Sequence, residues 1–150
     1  MIAALKKWAT RNGHVRVVTF DGVHLFDRYS PFWPDEWMGQ NTLPWWRPVN
    51  ILLHNWKHGE AEAFHDHPRW SVTIVLKGRI TERTPWKRKL LKPGSVVVRS
   101  RRSIHAFELP ENAGDVWTLF IVGRRKHEQS SYAITPRGRK GSGLLDRERA

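Results

Sequence analysis

The segment EAFHDHPRW, residues 62–70, places two histidines on either side of one aspartate and is interrupted by a proline. In an extended chain, the side chains of residues i and i+2 point to the same side of the strand. His65 and His67 would therefore stand side by side, about 7 Å apart along the strand. Two neutral imidazoles so placed can chelate a metal ion. The question is whether the chain supplies a third ligand.

The composition limits which ligands are available. The chain has 150 residues, enough for one domain with its own core, and it contains no cysteine. Disulfides, thiolate zinc sites and thiol catalysis are therefore excluded, and any metal must be bound by His, Asp or Glu. No apolar run approaches the length of a membrane span, and the N-terminal segment lacks a signal-peptide core. We expect a cytoplasmic protein without a membrane partner.

The net charge of +12 makes a nucleic-acid partner possible. Part of the basic excess lies in the Gly- and Arg-rich end of the chain, ITPRGRKGSGLLDRERA, residues 134–150. A solvated basic surface is the simpler interpretation, so nucleic acid is not favoured. We predict a barrel domain over residues 1–129 and a basic, flexible tail over residues 130–150, which should be dispensable for folding.

The pattern along the chain is that of an all-β protein. Residues 2 to about 12 predict one short helix that ends near Gly13. An Asp21-Gly22 turn between two strand-like segments predicts a hairpin. A Pro- and Trp-rich stretch that includes Trp45 and Trp46 predicts a long loop beside a cavity. Six further short strands follow, separated by turn signals, which favours an antiparallel sandwich or barrel: VNILLHNW, WSVTIVL, RITERT, SVVVRS, SIHAFEL and VWTLFIV.

A third histidine, His105, follows a Pro-Gly turn and a predicted strand. The whole pattern resembles the cupin superfamily, whose members are small double-stranded β-helix, or jelly-roll, barrels. The residues that carry the resemblance are Gly59, His65, His67, Pro68, Gly78, Pro93, Gly94 and His105. More loosely, the chain is similar to uncharacterised single-domain cupins of bacteria and phages. The resemblance implies an all-β cupin barrel with a short N-terminal helix, in which His65, His67 and His105 bind a metal.

The chain departs from the cupin pattern at one ligand position. Where the family has a glutamate, four residues after the second histidine, this chain has Ser71. Strand parity keeps Ser71 on the histidine face, but a hydroxyl is a poor ligand, so a three-histidine site with open positions is expected. Three neutral imidazoles suit Fe(II), Zn, Ni or Cu better than Mg or Ca. The resemblance to three-histidine dioxygenases favours Fe(II), with Zn, Ni or Mn as alternatives; the remaining alternative is a barrel that has lost its metal.

Three classes of function follow from this pattern. The first is a non-haem Fe(II) dioxygenase acting on a small molecule, with Arg69 as a clamp for a substrate carboxylate and Ser71 and His54 as further catalytic candidates. The second is a metal-dependent isomerase, epimerase or lyase with Tyr29 or His54 as the base. The third is a non-catalytic binding module, with the basic segments PWKRKLLKPG and RSRR as a nucleic-acid surface. We expect a homodimer in each case.

Overall fold

The computed structural model describes residues 1–11, 13–18, 22–32, 48–58, 64–111, 113–124, 131–134 and 140–142. In these ranges one helix precedes a series of short strands. The elements are α1 (Ile2–Ala9), β1 (His14–Val18), β2 (His24–Tyr29), β3 (Val49–Trp56), β4 (Phe64–His65), β5 (Ser71–Lys77), β6 (Ile80–Arg83), β7 (Arg88–Leu91), β8 (Val96–Arg99), β9 (Ala106–Glu108), β10 (Val116–Gly123), β11 (Ser131–Ile134) and β12 (Lys140–Ser142).

The strands form three sheets, and every described pairing is antiparallel. The largest sheet has the order β1-β2-β3-β10-β5-β8, and two smaller sheets have the orders β7-β6-β9 and β12-β11-β4. β1 and β2 pair with each other, which confirms the predicted hairpin. The predicted all-β class with a short N-terminal helix is therefore confirmed. Among the helices in the described ranges, none is long and apolar enough to cross a membrane.

The six-stranded sheet buries both of its faces, each against a different layer. On the inner face, Trp56, Val75 and Val116 pack against Ile80 and Phe107 of the β7-β6-β9 sheet and form the main core. On the outer face, a second cluster brings Tyr29, Leu53 and Trp117 against Ala9 of α1, with Ile2, Leu5 and Trp8 around it. Successive side chains of a strand point to opposite faces of the sheet, so neighbouring residues in the sequence belong to different clusters. The inner face is therefore the one that can carry an enclosed site.

Helix α1 is shorter than the sequence pattern predicts. It ends at Ala9, and the Thr10 hydroxyl and backbone N–H both donate to the carbonyl of Lys6. This side-chain bond occupies a carbonyl in the last turn and ends the helix before Gly13. The predicted cavity loop with Trp45 and Trp46, and Gly59 of the first motif, lie outside the described residues.

Two parts of the predicted tail form strands. β11 pairs with β4, with Ser131 opposite His65 and Tyr132 opposite Phe64, and β12 pairs with β11. β4 has only two residues, and its free edge presents backbone groups that a further strand can satisfy. Composition alone did not predict these strands. The division at residue 130 and the dispensability of residues 130–150 stay predictions.

Gly78, the glycine that closes the first motif, occupies the turn between β5 and β6. Its φ is +74°, a conformation that residues with a Cβ adopt at a cost. A Cβ added there would lie 2.8 Å from the Val116 Cγ2 and 2.9 Å from the carbonyl oxygen of Asp115. Gly94 has a similar φ of +87°, but a Cβ there would meet nothing within 4 Å. Substitutions at Gly78 and Gly94 can therefore be compared to separate the cost of backbone strain from the cost of crowding.

We expect Gly78→Ala to lower the free energy of unfolding by about 3 kcal/mol, because left-handed strain and overpacking add. Gly94→Ala, the matched control, should lower it by about 1 kcal/mol, from strain alone. Urea denaturation of both variants measures the difference. Equal losses would show that Val116 and the backbone at Asp115 move aside and that the close approach is unimportant.

Candidate metal centre

A backbone bridge brings the two histidine segments together. His65 lies at the end of β4, and His105 lies directly before β9. The N–H of each residue donates to the carbonyl of the other, at 3.0 Å in both directions. β4 ends at His65, and His67 lies two residues further along the chain, outside the strand. The bridge thus joins segments that are distant in sequence and sets their side chains beside each other.

The three imidazoles form a compact group that suits one metal ion. One ring nitrogen from each of His65, His67 and His105 lies within 4.8 Å of the others, and the Nε2 atoms of His67 and His105 are 2.8 Å apart. Two ring nitrogens bound to one ion at the usual metal–nitrogen distance stand about 3 Å apart. His65 and His105 are buried, and His67 is partly exposed. The donors, their spacing and their burial fit a divalent transition metal.

Two of the three imidazoles, those of His67 and His105, are held in the form that binds metal. Burial lowers the pKa of His67 to about 3, and the charges of His65, Arg99 and Arg28 act in the same direction. Burial, followed by the charge of Arg99, also holds the pKa of His105 well below its usual range. Neutral imidazole is the ligand form, so a metal ion need not displace a proton at neutral pH.

A buried ion pair lies behind His105. The Nδ1 atom of His105 is 3.7 Å from the Glu82 carboxylate, so its Nε2 faces His67. Arg99 donates to Glu82 from Nε at 2.7 Å and to the Thr73 hydroxyl from Nη1 at 3.0 Å. At 3.7 Å this contact is longer than a hydrogen bond, so the carboxylate acts on the His105 ring through its charge. Arg99 belongs to the RSRR segment considered for nucleic acid, but its side chain is buried in this pair.

A cavity of about 50 Å³ opens beside the histidines. Four aromatic side chains form much of its wall: Phe26, Trp56, Phe107 and Phe120. Its polar lining consists of Arg28, His54, His65, His67, Thr73 and Thr118. The volume is far below the several hundred Å³ of a pocket for a drug-sized ligand. The cavity therefore suits a few heavy atoms next to the metal position.

His54 is the predicted catalytic residue that the structure brings to this cavity. Its side chain is 4% exposed, and its Nε2 has no hydrogen-bond partner in the part of the chain that the structure describes. It packs between Phe26 and Phe120, with ring centres 4.6 and 5.2 Å away. Burial holds its pKa well below the usual range, and the charges of Arg28 and His67 add to this effect. His54 is thus a neutral imidazole at the cavity wall.

The other predicted catalytic residues are not brought to the described cavity lining. Arg69 is buried and donates from Nη1 to the carbonyl of Gly123 at 3.2 Å. Ser71 is fully buried, its hydroxyl has no partner, and Thr73 takes the cavity position on that strand. Tyr29 lies on the opposite face of the sheet, against Trp117. Proximity therefore does not support the clamp role of Arg69 or the base role of Tyr29.

The arginine that lines the cavity is Arg28, which the sequence analysis missed. It lies on β2 opposite His54 of β3. Strand parity did indicate one property of Arg28, because residues 26 and 28 of one strand must share a face. The sequence did not show which face of the β1–β2 hairpin is enclosed. Glu82 had no comparable signal, since the three charged residues in RITERT, Arg79, Glu82 and Arg83, are typical of an exposed strand.

Comparison with known proteins shows a likeness of structure without a likeness of sequence. No family profile and no curated protein matches the sequence. A Streptomyces PAC13 variant in complex with uridine aligns over 85% of this chain and 89% of its own, with a TM-score of 0.57 and 8% identity. A predicted oxalate decarboxylase from Thermotoga maritima aligns over 77% of this chain and 96% of its own, with a TM-score of 0.54 and 14% identity.

A third structure, Fe(II) HppE, aligns over 75% of this chain at 14% identity, with a TM-score of 0.55, and the alignment spans 56% of HppE. The protein has a cupin fold. This confirms the resemblance seen in the two histidine motifs. At such low identities the shared property is the barrel, and the chemistry of this protein must be argued from its own residues.

We expect the metal-free protein to lose stability as the pH falls below about 6.5. The pKa of His67 is about 3 in the folded chain against 6.5 for an ordinary histidine, so the unfolded state binds the proton first. Stability is complete above 6.5 and is lost on going down towards 3, by at most about 1.4 kcal/mol per pH unit for one histidine. Urea denaturation at pH 7.5 and 5.5 measures the slope.

His67→Gln should reduce this pH slope, and the same change at the exposed His58 should leave it intact. A slope that is identical in native protein and His67→Gln would contradict the assignment.

We expect Glu82→Gln to lower the free energy of unfolding by about 3 kcal/mol, because it leaves the Arg99 charge buried without its counter-ion. Zinc affinity, measured by titration, should also fall by about 10-fold or more, because His105 loses the carboxylate behind it. Lys77→Met breaks an exposed ion pair with Asp115 and should cost less than about 1 kcal/mol. Unchanged zinc affinity in Glu82→Gln would show that the carboxylate does not act on His105.

Proposed function

We propose that this cupin is a metal-dependent enzyme that acts on a small molecule, and that it is a non-haem Fe(II) dioxygenase. The observation that carries the proposal is the group of three imidazoles beside a small cavity with an aromatic wall. Three neutral ligands leave the charge of a divalent ion uncompensated, so coordination positions remain for anionic or chelating groups. The fold likeness to HppE, whose structure is described as the Fe(II) form, supports iron among the candidate metals.

Polar and apolar residues around the cavity have different roles in this proposal. Iron(II) held in such a site would supply electrons for O2 activation. His65, His67 and His105 would hold it, and the Glu82 carboxylate lies 3.7 Å behind His105. The aromatic side chains lower the local dielectric constant, which strengthens electrostatic interactions inside the cavity.

The cavity lining favours oxidation over proton transfer. The described residues that line it include no aspartate or glutamate. An isomerase or epimerase moves protons with a positioned acid or base, most often His, Asp or Glu. Oxygenation needs mainly the metal, a bound substrate and a dry cavity.

His54 favours a second candidate function, a metal-dependent isomerase, epimerase or lyase. Its Nε2 faces no hydrogen-bond partner and its ring is neutral, so it could accept a proton from a substrate bound at the metal. In this alternative the metal polarises a carbonyl and undergoes no change of oxidation state.

Other assignments stay predictions. These are the homodimer, the cytoplasmic location and the nucleic-acid association. Trp86 is 93% exposed beside Lys87 and Arg88 in the β6–β7 turn, which keeps a basic, aromatic surface available outside the barrel. Nucleic-acid binding that falls steeply with salt would support the binding-module alternative.

We expect untagged protein to carry or take up about one transition-metal ion per chain, because three imidazoles converge on one point. Elemental analysis and titration with Fe(II), Zn, Ni or Mn measure this. His105→Ala should remove most of the affinity. His14→Ala should not, because His14 lies outside the group and bonds to Asp27. Absence of binding by the native protein would overturn the proposed function.

The choice between the two candidate functions depends on O2. A panel of small carboxylic acids is incubated with Fe(II)-loaded and Zn-loaded protein, and O2 uptake and substrate loss are followed. Substrate-dependent O2 uptake with Fe(II) only, lost in His105→Ala, supports the dioxygenase. Substrate conversion without O2, with either metal, supports the isomerase or lyase instead.

A further inference from the structure

We propose that Arg28, His54 and Thr118 form an anion-binding row, and that the substrate is a short organic carboxylate that spans this row and the metal position. The inference rests on the metal-dependent function proposed above and names its substrate class. It assigns to Arg28 the clamp role that the sequence analysis gave to Arg69.

The three residues lie opposite one another on adjacent strands. Arg28 of β2 pairs with His54 of β3, and His54 pairs with Thr118 of β10. All three side chains line the same cavity as His65 and His67. Residues directly opposite on neighbouring strands have Cβ atoms about 5 Å apart, so the row extends for roughly 10 Å along one wall. This polar row contrasts with the aromatic side chains around it.

Two members of the row have hydrogen-bonding capacity that the protein leaves unused. The Nε2 of His54 is buried without a hydrogen-bond partner among the described residues, whereas buried polar atoms are normally paired. The Thr118 hydroxyl accepts a bond from the Trp56 indole N–H at 3.0 Å and keeps its own proton to donate. In the tautomer that carries its proton on Nε2, His54 can, like Thr118, donate to an oxygen atom that enters the cavity.

Arg28 supplies the charge. Its guanidinium lies over the Phe26 ring, with Cζ 5.5 Å from the ring centre, which fixes its position at the wall. A guanidinium has five N–H donors, so it can hold a protein partner and still offer two of them to a carboxylate. Its charge lowers the pKa of both His54 and His67, so its field extends over the row and the metal ligands.

The size and polarity of the cavity define the substrate class. About 50 Å³ admits a few heavy atoms, and the described lining contains no carboxylate to repel an anion. Four aromatic rings lower the local dielectric constant, which strengthens a guanidinium–carboxylate pair. A short carboxylate with a second donor, such as a hydroxyl or keto oxygen, could pair with Arg28 at one end and reach the metal at the other.

Glycolate and glycolamide test this directly, because they differ in charge but share size and hydroxyl group. The full-length protein is loaded with Co(II), whose visible absorption bands report on the metal and change when a ligand binds beside it. Dissociation constants are measured for native protein, Arg28→Met, and Arg16→Met. Arg16 is exposed on β1, so its variant has the same change in net charge outside the cavity.

We expect native protein and Arg16→Met to bind glycolate at least about 10-fold more tightly than glycolamide, as a charge-assisted bidentate pair predicts. Arg28→Met should lose this preference and keep its Co(II) content and thermal stability within the range of the Arg16→Met control. Arg28→Lys should recover part of the preference.

The failures of the two proposals are distinguishable. If Co(II) does not bind to native protein, the metal-dependent function is wrong, and this inference falls with it. If Co(II) binds but glycolate has no advantage over glycolamide, or keeps that advantage in Arg28→Met, the anion-binding row is wrong and the metal site stands.

Discussion

The reciprocal backbone hydrogen bonds between His65 and His105 are the constraint on which the candidate site depends. They join the short strand β4 to the return strand β9, and so close the barrel at the point where the two motifs meet. Two bonds at 3.0 Å set the distance between two ligand side chains before any metal arrives. The short stretch of chain after β4 is then enough to bring His67 beside the other two histidines. A preorganised ligand set of this kind makes metal binding a small structural change.

Burial imposes the second constraint, because charged groups near the site must be compensated. Glu82 and Arg99 are both buried, and the Nε of Arg99 donates to the Glu82 carboxylate, while its Nη2 lies 2.6 Å from the same oxygen in the ion pair. Thr73 accepts a further bond from Arg99. The pair therefore does two things at once: it brings a carboxylate behind His105, and its cation adds to the effect of burial in lowering the pKa of His105. A buried pair of this type contributes to the geometry of a site more than to stability.

The inner face of the six-stranded sheet is divided along its length. At one end, Trp56, Val75 and Val116 pack into the main core with Phe107. Next to them, the row Arg28, His54 and Thr118 faces a cavity in place of packed side chains. The same sheet thus supplies both the rigid core and the polar wall. Residues on its strands are held more precisely than residues on loops, which suits a binding site.

Several features of this protein were already determined by the sequence. His65, His67 and His105 were singled out as candidate ligands by their spacing and by the Pro-Gly turn, although β4 ends at His65 and His67 lies beyond the strand. Short strands separated by turn signals predicted the antiparallel barrel. The replacement of the family's glutamate by Ser71 was also visible in the sequence, because it concerns one residue at a fixed spacing from the second histidine. These inferences succeed because they depend on spacing along the chain, which the backbone preserves.

Only the tertiary structure decided which side chains share the cavity. Arg69 lies on the predicted strand of the histidines, yet it bonds to the Gly123 carbonyl, while Arg28, far away in sequence, lines the cavity. Strand parity says that two residues share a face, but the pairing of β2 with β3 and β10 decides what that face encloses. Glu82 likewise acquires its role from Arg99, on a strand of a different sheet. Contacts between sheets depend on the order and register of strands, and no local pattern in the sequence encodes them.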